Sequence, residues 1–228
     1  EIPVPTVWGE VDISRVGIYS PNKNNLTIAC NRVEGNMHGG VLVNTDSLLA
    51  EIRDNEFSGN DQEGLAILFA PALFKGPGNG VAVNDLILNI SGNIFSDNGD
   101  NGLVIDGDAY RTATLTLTDN EANRNGGFGV AADVHASGDA VMDVKGLLAD
   151  DNTGFDGLYV NLESLNGLSK GLFEDIEANR NKNAGIEIVN LISQSGPVYG
   201  SFRSIVADEN TGFGMAIGLY SVGTGAIM

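Results

Sequence analysis

The chain is built from short runs in which every second residue is apolar, each entered through a glycine. These inward pairs are Val41/Val43, Leu65/Ile67, Leu103/Ile105, Val130/Ala132, Leu158/Val160, Ile186/Ile188 and Met215/Ile217. A period of two is that of a strand with one buried face, so the runs predict short β-strands rather than helices. Each is announced by the same words, Asn-x-x-x-Gly and then apolar-x-apolar, as in "NDQEGLAI", "NGDNGLVI", "NKNAGIEI" and "NTGFGMAI"; "NTGFDGLYV" carries one extra residue. The motif asparagines are Asn36, Asn60, Asn98, Asn125, Asn152, Asn181 and Asn210, at spacings of 24, 38, 27, 27, 29 and 29. The long interval contains "FAPALFKGPGNG", where Pro71, Gly76, Pro77 and Gly78 mark a loop. The underlying period is therefore about 27 residues.

Alignment on that asparagine brings out further columns. Eight residues upstream stand Ile28, Ile52, Ile90, Leu117, Val144, Phe173 and Phe202, and three upstream Val33, Phe57, Phe95, Ala122, Ala149, Ala178 and Ala207. Five upstream stand Asn31, Asn55, Asn93 and Asn120, followed by Leu147, Ile176 and Ile205. A short strand cannot bury a face alone, but strands repeating at this period bury a continuous core when stacked, like residue on like about 4.8 Å apart. An asparagine buried at the turn then bonds to the asparagines above and below it. Charge gives an independent check. The residue before the motif asparagine reads Asp97, Arg124, Asp151, Arg180 and Glu209 in successive repeats, and Lys145, Glu174 and Arg203 alternate in the same way. In-register neighbours attract only if their signs alternate.

This pattern resembles the right-handed parallel β-helix repeats of the pectate-lyase-like superfamily, over roughly residues 9–228. The resemblance implies an all-β fold, a right-handed parallel β-helix (solenoid) of about seven coils, roughly 34 Å long at 4.8 Å per coil. Residues 1–228 are expected to form one domain, with 1–8, including Trp8, as an N-terminal plug and 69–83 as a loop insertion within one coil. No amphipathic capping helix is legible, and "LYSVGTGAIM" reads as the start of another coil. The expectation is a piece of a longer β-helix, or ends covered by a partner.

Composition agrees and narrows the partners. There are 31 Gly and 25 Asn in 228 residues, yet 42% of the chain is hydrophobic, enough for a core. Thirty acidic residues against twelve basic ones give a net charge of −18, which excludes nucleic acid, whose phosphates need clustered Lys and Arg. No apolar run is long enough for a membrane span, so no membrane insertion is expected. The single cysteine, Cys30, excludes an intrachain disulfide framework and is read as structural.

Candidate chemistry lies on the outward positions of the strand that follows the glycine. Two residues after it stand Leu42, Ala66, Val104, Ala131, Tyr159, Glu187 and Ala216; four after, Asn44, Leu68, Asp106, Asp133, Asn161, Val189 and Gly218; six after, Asp46, Ala70, Asp108, His135, Glu163, Leu191 and Tyr220. Asp108, His135 and Glu163 are the catalytic candidates, a histidine between two carboxylates suiting general acid–base work. Asp106 and Asp133, one coil apart, suit calcium. Tyr159, Tyr220 and Asn161 are the substrate-binding candidates, the first two also part of an outward apolar patch with Val189 and Leu191. A second polar cluster, His38, Asp61, Glu63, Asp100 and Asn101, precedes the same strand. The plain alternative in each case is solvated surface on an acidic protein.

The superfamily's catalytic sets do not transfer. No Arg or Lys stands among these outward positions to serve as the base of a lyase, and the Gly-His-Gly and Asp-Pro-His-Asp segments are absent. The leading expectation is a non-catalytic β-helix, extracellular, at the cell surface or periplasmic, serving as a rigid structural, adhesive or assembly module. Its partners would be polysaccharide, or another protein chain at the ends or apolar face. The alternatives are a polysaccharide lyase, epimerase or hydrolase using the acidic and histidine face, and a self-stacking filament subunit.

Overall fold

The computed structural model describes residues 4–6, 9–11, 16–21, 25–44, 48–69 and 83–222. Trp8, most of the 69–83 insertion and residues 223–228 lie outside the described residues, as do Asp46 and Ala70. Val4–Thr6 and Gly9–Val11 pair antiparallel. Every other described strand pairing is parallel, each strand lying against its own copy one coil away.

Two long sheets result. One stacks Val16–Pro21, His38–Asn44, Leu65–Phe69, the first half of Leu103–Thr118, Val130–Ala136, Leu158–Ser164, Ile186–Ser193 and Met215–Ser221. The other stacks Asn25–Ala29, Leu48–Arg53, Val83–Ser91, the second half of Leu103–Thr118, Ala140–Lys145, Ser169–Glu177 and Val198–Val206. A third, narrow stack pairs Arg32–Val33 with Glu56–Phe57 and continues as bridges through Ile94, Glu121, Leu148 and Glu177. This is a parallel β-helix. Alternate residues of both long sheets point into one core, where Ile52, Phe57, Leu65, Ile67, Leu88, Phe95, Leu103, Leu115, Val130, Leu158, Phe173 and Ile186 are buried.

The corners are held by ladders of polar side chains. Along the motif column the backbone N–H of each asparagine donates to the Oδ1 of the next, from Asn36 through Asn60, Asn98, Asn125, Asn152 and Asn181 to Asn210, at 2.8–3.2 Å. Asn125 and Asn152 are wholly buried and satisfied, as a buried amide must be. Asn31, Asn55, Asn93 and Asn120 form a second ladder of the same kind, and it stops where Leu147 takes the column. A third ladder runs two residues before the motif asparagine: Ser58, Ser96, Asn123, Asp150, Asn179 and Asp208 are each linked to the next through one backbone N–H and one side-chain oxygen.

The residue before each of the two asparagine columns has positive φ. One such column is Cys30, Asp54, Gly92, Asp119, Gly146, Asp175 and Ser204; the other is Gly35, Gly59, Asp97, Arg124, Asp151, Arg180 and Glu209. The left-handed residue turns the chain, and where an asparagine follows it, that side chain satisfies the corner's backbone groups. The alternating charges become two forked pairs. Arg124 Nε and Nη2 each reach an oxygen of Asp97 at 2.7 Å, and Arg180 holds Asp151 likewise at 2.8 Å.

The motif glycine is explained by close approach. A Cβ on Gly129 would stand 2.5 Å from the carbonyl oxygen of Gly157 and 2.8 Å from the Asn152 amide nitrogen, and Gly102, Gly157 and Gly185 are equally confined.

Two register expectations are corrected. In the first repeat Gly40 pairs with Leu65 and Leu42 with Ile67, so the motif glycine is Gly39 and the turn is one residue shorter. The positions in register with the inward Leu65 and Ile67 are therefore Gly40 and Leu42 instead of Val41 and Val43. In Ile186–Ser193 a bulge sets Val189 and Asn190 against the single residue Asn161's place in the ladder, so Asn190 pairs with Asn161 and Leu191 with Leu162. Leu191 is thus a core residue, fully buried, and Ile192 takes the outward position expected for it. Met215 and Ile217 keep their register positions but are 42% and 41% exposed.

Candidate functional site

The outward face of the first long sheet changes character along its length. Ala66, Leu68 and Val104 occupy outward positions yet are buried. From Asp106 onward the face is polar and open. The expected neighbours are in register: Asp106 beside Asp133, Asp133 beside Asn161, Asp108 beside His135, and His135 beside Glu163.

His135 is the centre of this group. Its Nδ1 lies 3.3 Å from Asp108 Oδ1, and its Nε2 lies 3.6 Å from Asp133 Oδ1 and 3.7 Å from Glu163 Oε2. The bond to Asp108, reinforced by the charges of Asp133 and Glu163, raises the imidazole above its ordinary value despite partial burial. The carboxylates are tied in turn. Asn161 donates to Asp133 at 2.8 Å, Asn190 donates to Asn161 at 3.0 Å, and Gln194 donates to Glu163 at 2.5 Å. Asn190 enters this row only because of the bulge, and no alternating pattern foretells it.

Among the described residues no group of three or more His, Cys, Asp and Glu side chains is placed to hold a metal ion. Asp106 and Asp133 supply two residues toward the six to eight oxygens that Ca²⁺ takes.

Tyr159 belongs to a cluster that the alternating strand pattern does not mark. Phe128 and Phe155 stack with centroids 4.7 Å apart, and Tyr159 tilts against Phe128 at 5.3 Å. Phe155 is 52% exposed, so the three rings form a shelf at the start of the strand. Burial raises the Tyr159 hydroxyl above its usual value, and the carboxylates of Asp133, Glu187 and Asp156 add to the shift. Asp156, the extra residue of "NTGFDGLYV", is buried and accepts from Asn183 Nδ2 and the Ala184 N–H. Glu187 is raised by burial and by its hydrogen bond to Asp156. The available signal was the phenylalanine recurring before the motif glycine in "NGGFG", "NTGFDG" and "NTGFG". Tyr220 is not brought to this shelf: it pairs with Ile192, which in turn pairs with Glu163.

The second cluster condenses to a buried pair. His38 Nδ1 and Glu63 Oε2 are 2.5 Å apart, with both side chains almost wholly withdrawn from solvent. Asp100 beside them is raised, first by burial and then by the Glu63 charge. His38 and Glu63 occupy the position that Phe128 and Asp156 hold in later coils, just before the motif glycine.

A family model described as a right-handed β-helix region matches residues 11–154. No curated protein and no solved structure matches the chain.

Proposed function

The chain belongs to the right-handed β-helix family, and from that premise we propose that it is a rigid, non-catalytic adhesive module, extracellular or at the cell surface, that holds carbohydrate on the outward face of its central coils. The observation that carries this reading is the exposed shelf of Phe128, Phe155 and Tyr159 beside the amide and carboxylate row of Asp133, Asn161 and Asn190. Aromatic rings take the flat apolar side of a sugar, while carboxylates and amides take its hydroxyls. The ladders fix these groups before any ligand arrives, which lowers the ordering cost of binding. Retention on immobilised polysaccharides tests the reading. The Phe155→Ala/Tyr159→Ala variant is expected to lose about tenfold or more in affinity, with an unchanged far-UV spectrum; undiminished retention would sink the reading.

One observation favours a second reading, a carbohydrate-active enzyme in which Asp108, His135 and Glu163 do the chemistry. It is the raised imidazole held among three carboxylates. Carboxylates that favour the protonated form of an imidazole in this way suit it to general-acid work. This reading expects new reducing ends or unsaturated products from a polysaccharide panel, lost on His135→Ala. A wild-type protein that turns over no member of the panel removes it.

A further inference from the structure

The charge around the aromatic shelf bears on which glycan it takes, and the inference rests on the carbohydrate reading above. Asp133, Asp156 and Glu187 all act on the Tyr159 hydroxyl from close by. Asp156 is only 1% exposed and its Oδ1 is anchored by two hydrogen bonds, from Asn183 at 2.7 Å and from the Ala184 N–H at 2.8 Å. Further along the same face lie Asp106, Asp108 and Glu163. Against these six carboxylates, the outward positions of the first long sheet from Ala66 to Asp108 and on to Tyr220 contain no Lys or Arg, and Arg111, farther along Leu103–Thr118, is paired with Asp85 at 3.3 Å. Their one histidine, His135, is already clasped by Asp108, Asp133 and Glu163.

A uronic acid chain laid here meets like charge along its whole length. A chain of amino sugars meets the opposite. Its ammonium groups find carboxylates, and any that fall over Phe155 or Tyr159 gain from the ring quadrupole as well. A basic peptide offers the same charge but fits the surface less well. The backbone groups of Leu158–Ser164 are already paired with Val130–Ala136 on one side and Ile186–Ser193 on the other, so no strand edge is open for a peptide to extend. The side-chain amides of Asn161, Asn183 and Asn190 are instead suited to hydroxyl groups.

We propose that the shelf of Phe128, Phe155 and Tyr159, with Glu187 and Asp133 beside it, binds a glycan bearing free amino groups. Its pyranose rings lie against the aromatic side chains and its ammonium groups against the two carboxylates.

Calorimetric titration of the whole chain with glucosamine oligomers tests this, against their N-acetylated counterparts, galacturonate oligomers and oligolysine. The glucosamine oligomer is expected to bind about tenfold or more tighter than the N-acetylated one, with affinity falling as salt rises. Phe155→Ala and Tyr159→Ala should each weaken it several-fold, and Glu187→Gln should remove most of the preference over the N-acetylated chain. Equal binding of the N-acetylated or galacturonate oligomer overturns the inference and leaves the carbohydrate reading standing. Binding of no glycan overturns both. Oligolysine binding more tightly than glucosamine, and unaffected by either aromatic substitution, overturns the inference in favour of diffuse charge attraction.

Discussion

At the scale of the residue, the corners show a division of labour. Non-glycine residues at positive φ are unfavourable by roughly 1–2 kcal/mol each, yet among the described residues ten of them stand in two columns. In one column Asp54, Asp119 and Asp175 alternate with Gly92 and Gly146. A Cβ added at Gly146 would collide with the Asp119 carboxylate, and one at Gly92 would press on that of Asp54. The glycines are thus needed twice, for their φ and for their neighbours' side chains. Gly146→Ala is expected to destabilise the fold by about 1–3 kcal/mol, whereas Asp119→Gly should be neutral or stabilising by up to about 1 kcal/mol; chemical denaturation of the pair separates the two effects. Cys30 falls in the same column, at φ 58°, which gives it a place in a corner rather than in a strand. His135 is a residue-scale matter too. Its folded pKa lies above the free value of 6.5, so its contribution to stability is complete below about pH 6.5 and is lost as pH rises through the folded value. An NMR titration of the imidazole should show that upward shift, and Asp108→Asn should reverse most of it.

At the scale of the element, the repeat's two invariants were legible because each has one physical reason. The asparagine satisfies a buried corner, and the glycine admits the next coil. Asn125→Ala removes the Oδ1 that accepts from the Asn98 N–H and side-chain amide, and the Nδ2 that donates to the Phe95 carbonyl and to Asn152 Oδ1, all in a buried corner. A loss of about 2–4 kcal/mol is expected, and denaturation that leaves stability within error would refute the ladder's importance. Gly129→Ala should cost a similar amount through overpacking. What sequence alone misplaced were the departures from uniform spacing. A one-residue change exchanges the two faces of a strand, so the short turn before Gly39 shifted the first strand, and the bulge at Val189–Asn190 moved Leu191 into the core. The candidate site divides in the same way. Asp106, Asp108, Asp133, His135 and Glu163 were found because they sit on the regular part of the strand. Phe128, Phe155 and Asp156 were passed over because they sit in the turn before it, where no periodicity applies.

At the scale of the whole molecule, the acidic excess sets the response to solution conditions. Asp97 and Asp151 are held below the ordinary carboxylate value by Arg124 and Arg180, so their contribution is present above about pH 4 and is lost as pH falls through their lowered values. These pairs are half exposed, and Asp97–Arg124 is worth a few tenths of a kcal/mol at most after screening. The net charge of −18 is the larger effect, because self-repulsion acts over the whole solenoid. Melting temperature is therefore expected to rise as sodium chloride is added from low ionic strength; a fall would mean that the ion pairs dominate.

The segment between ladder asparagine and motif glycine is a part of the coil whose length varies within the molecule without disturbing the strands beside it. From Asn36 to Gly39, from Asn60 to Gly64 and from Asn152 to Gly157 the chain advances by three, four and five residues, while the strands on either side stay aligned. Such a segment works like an expansion joint: it absorbs an insertion or deletion without passing the error to the next rung. New side chains can be tried there at little risk to the scaffold, and Asp156 is one that the longest joint admits. Engineered loops grafted between Asn152 and Gly157 should accordingly be tolerated where the same insertion inside Leu158–Ser164 would not.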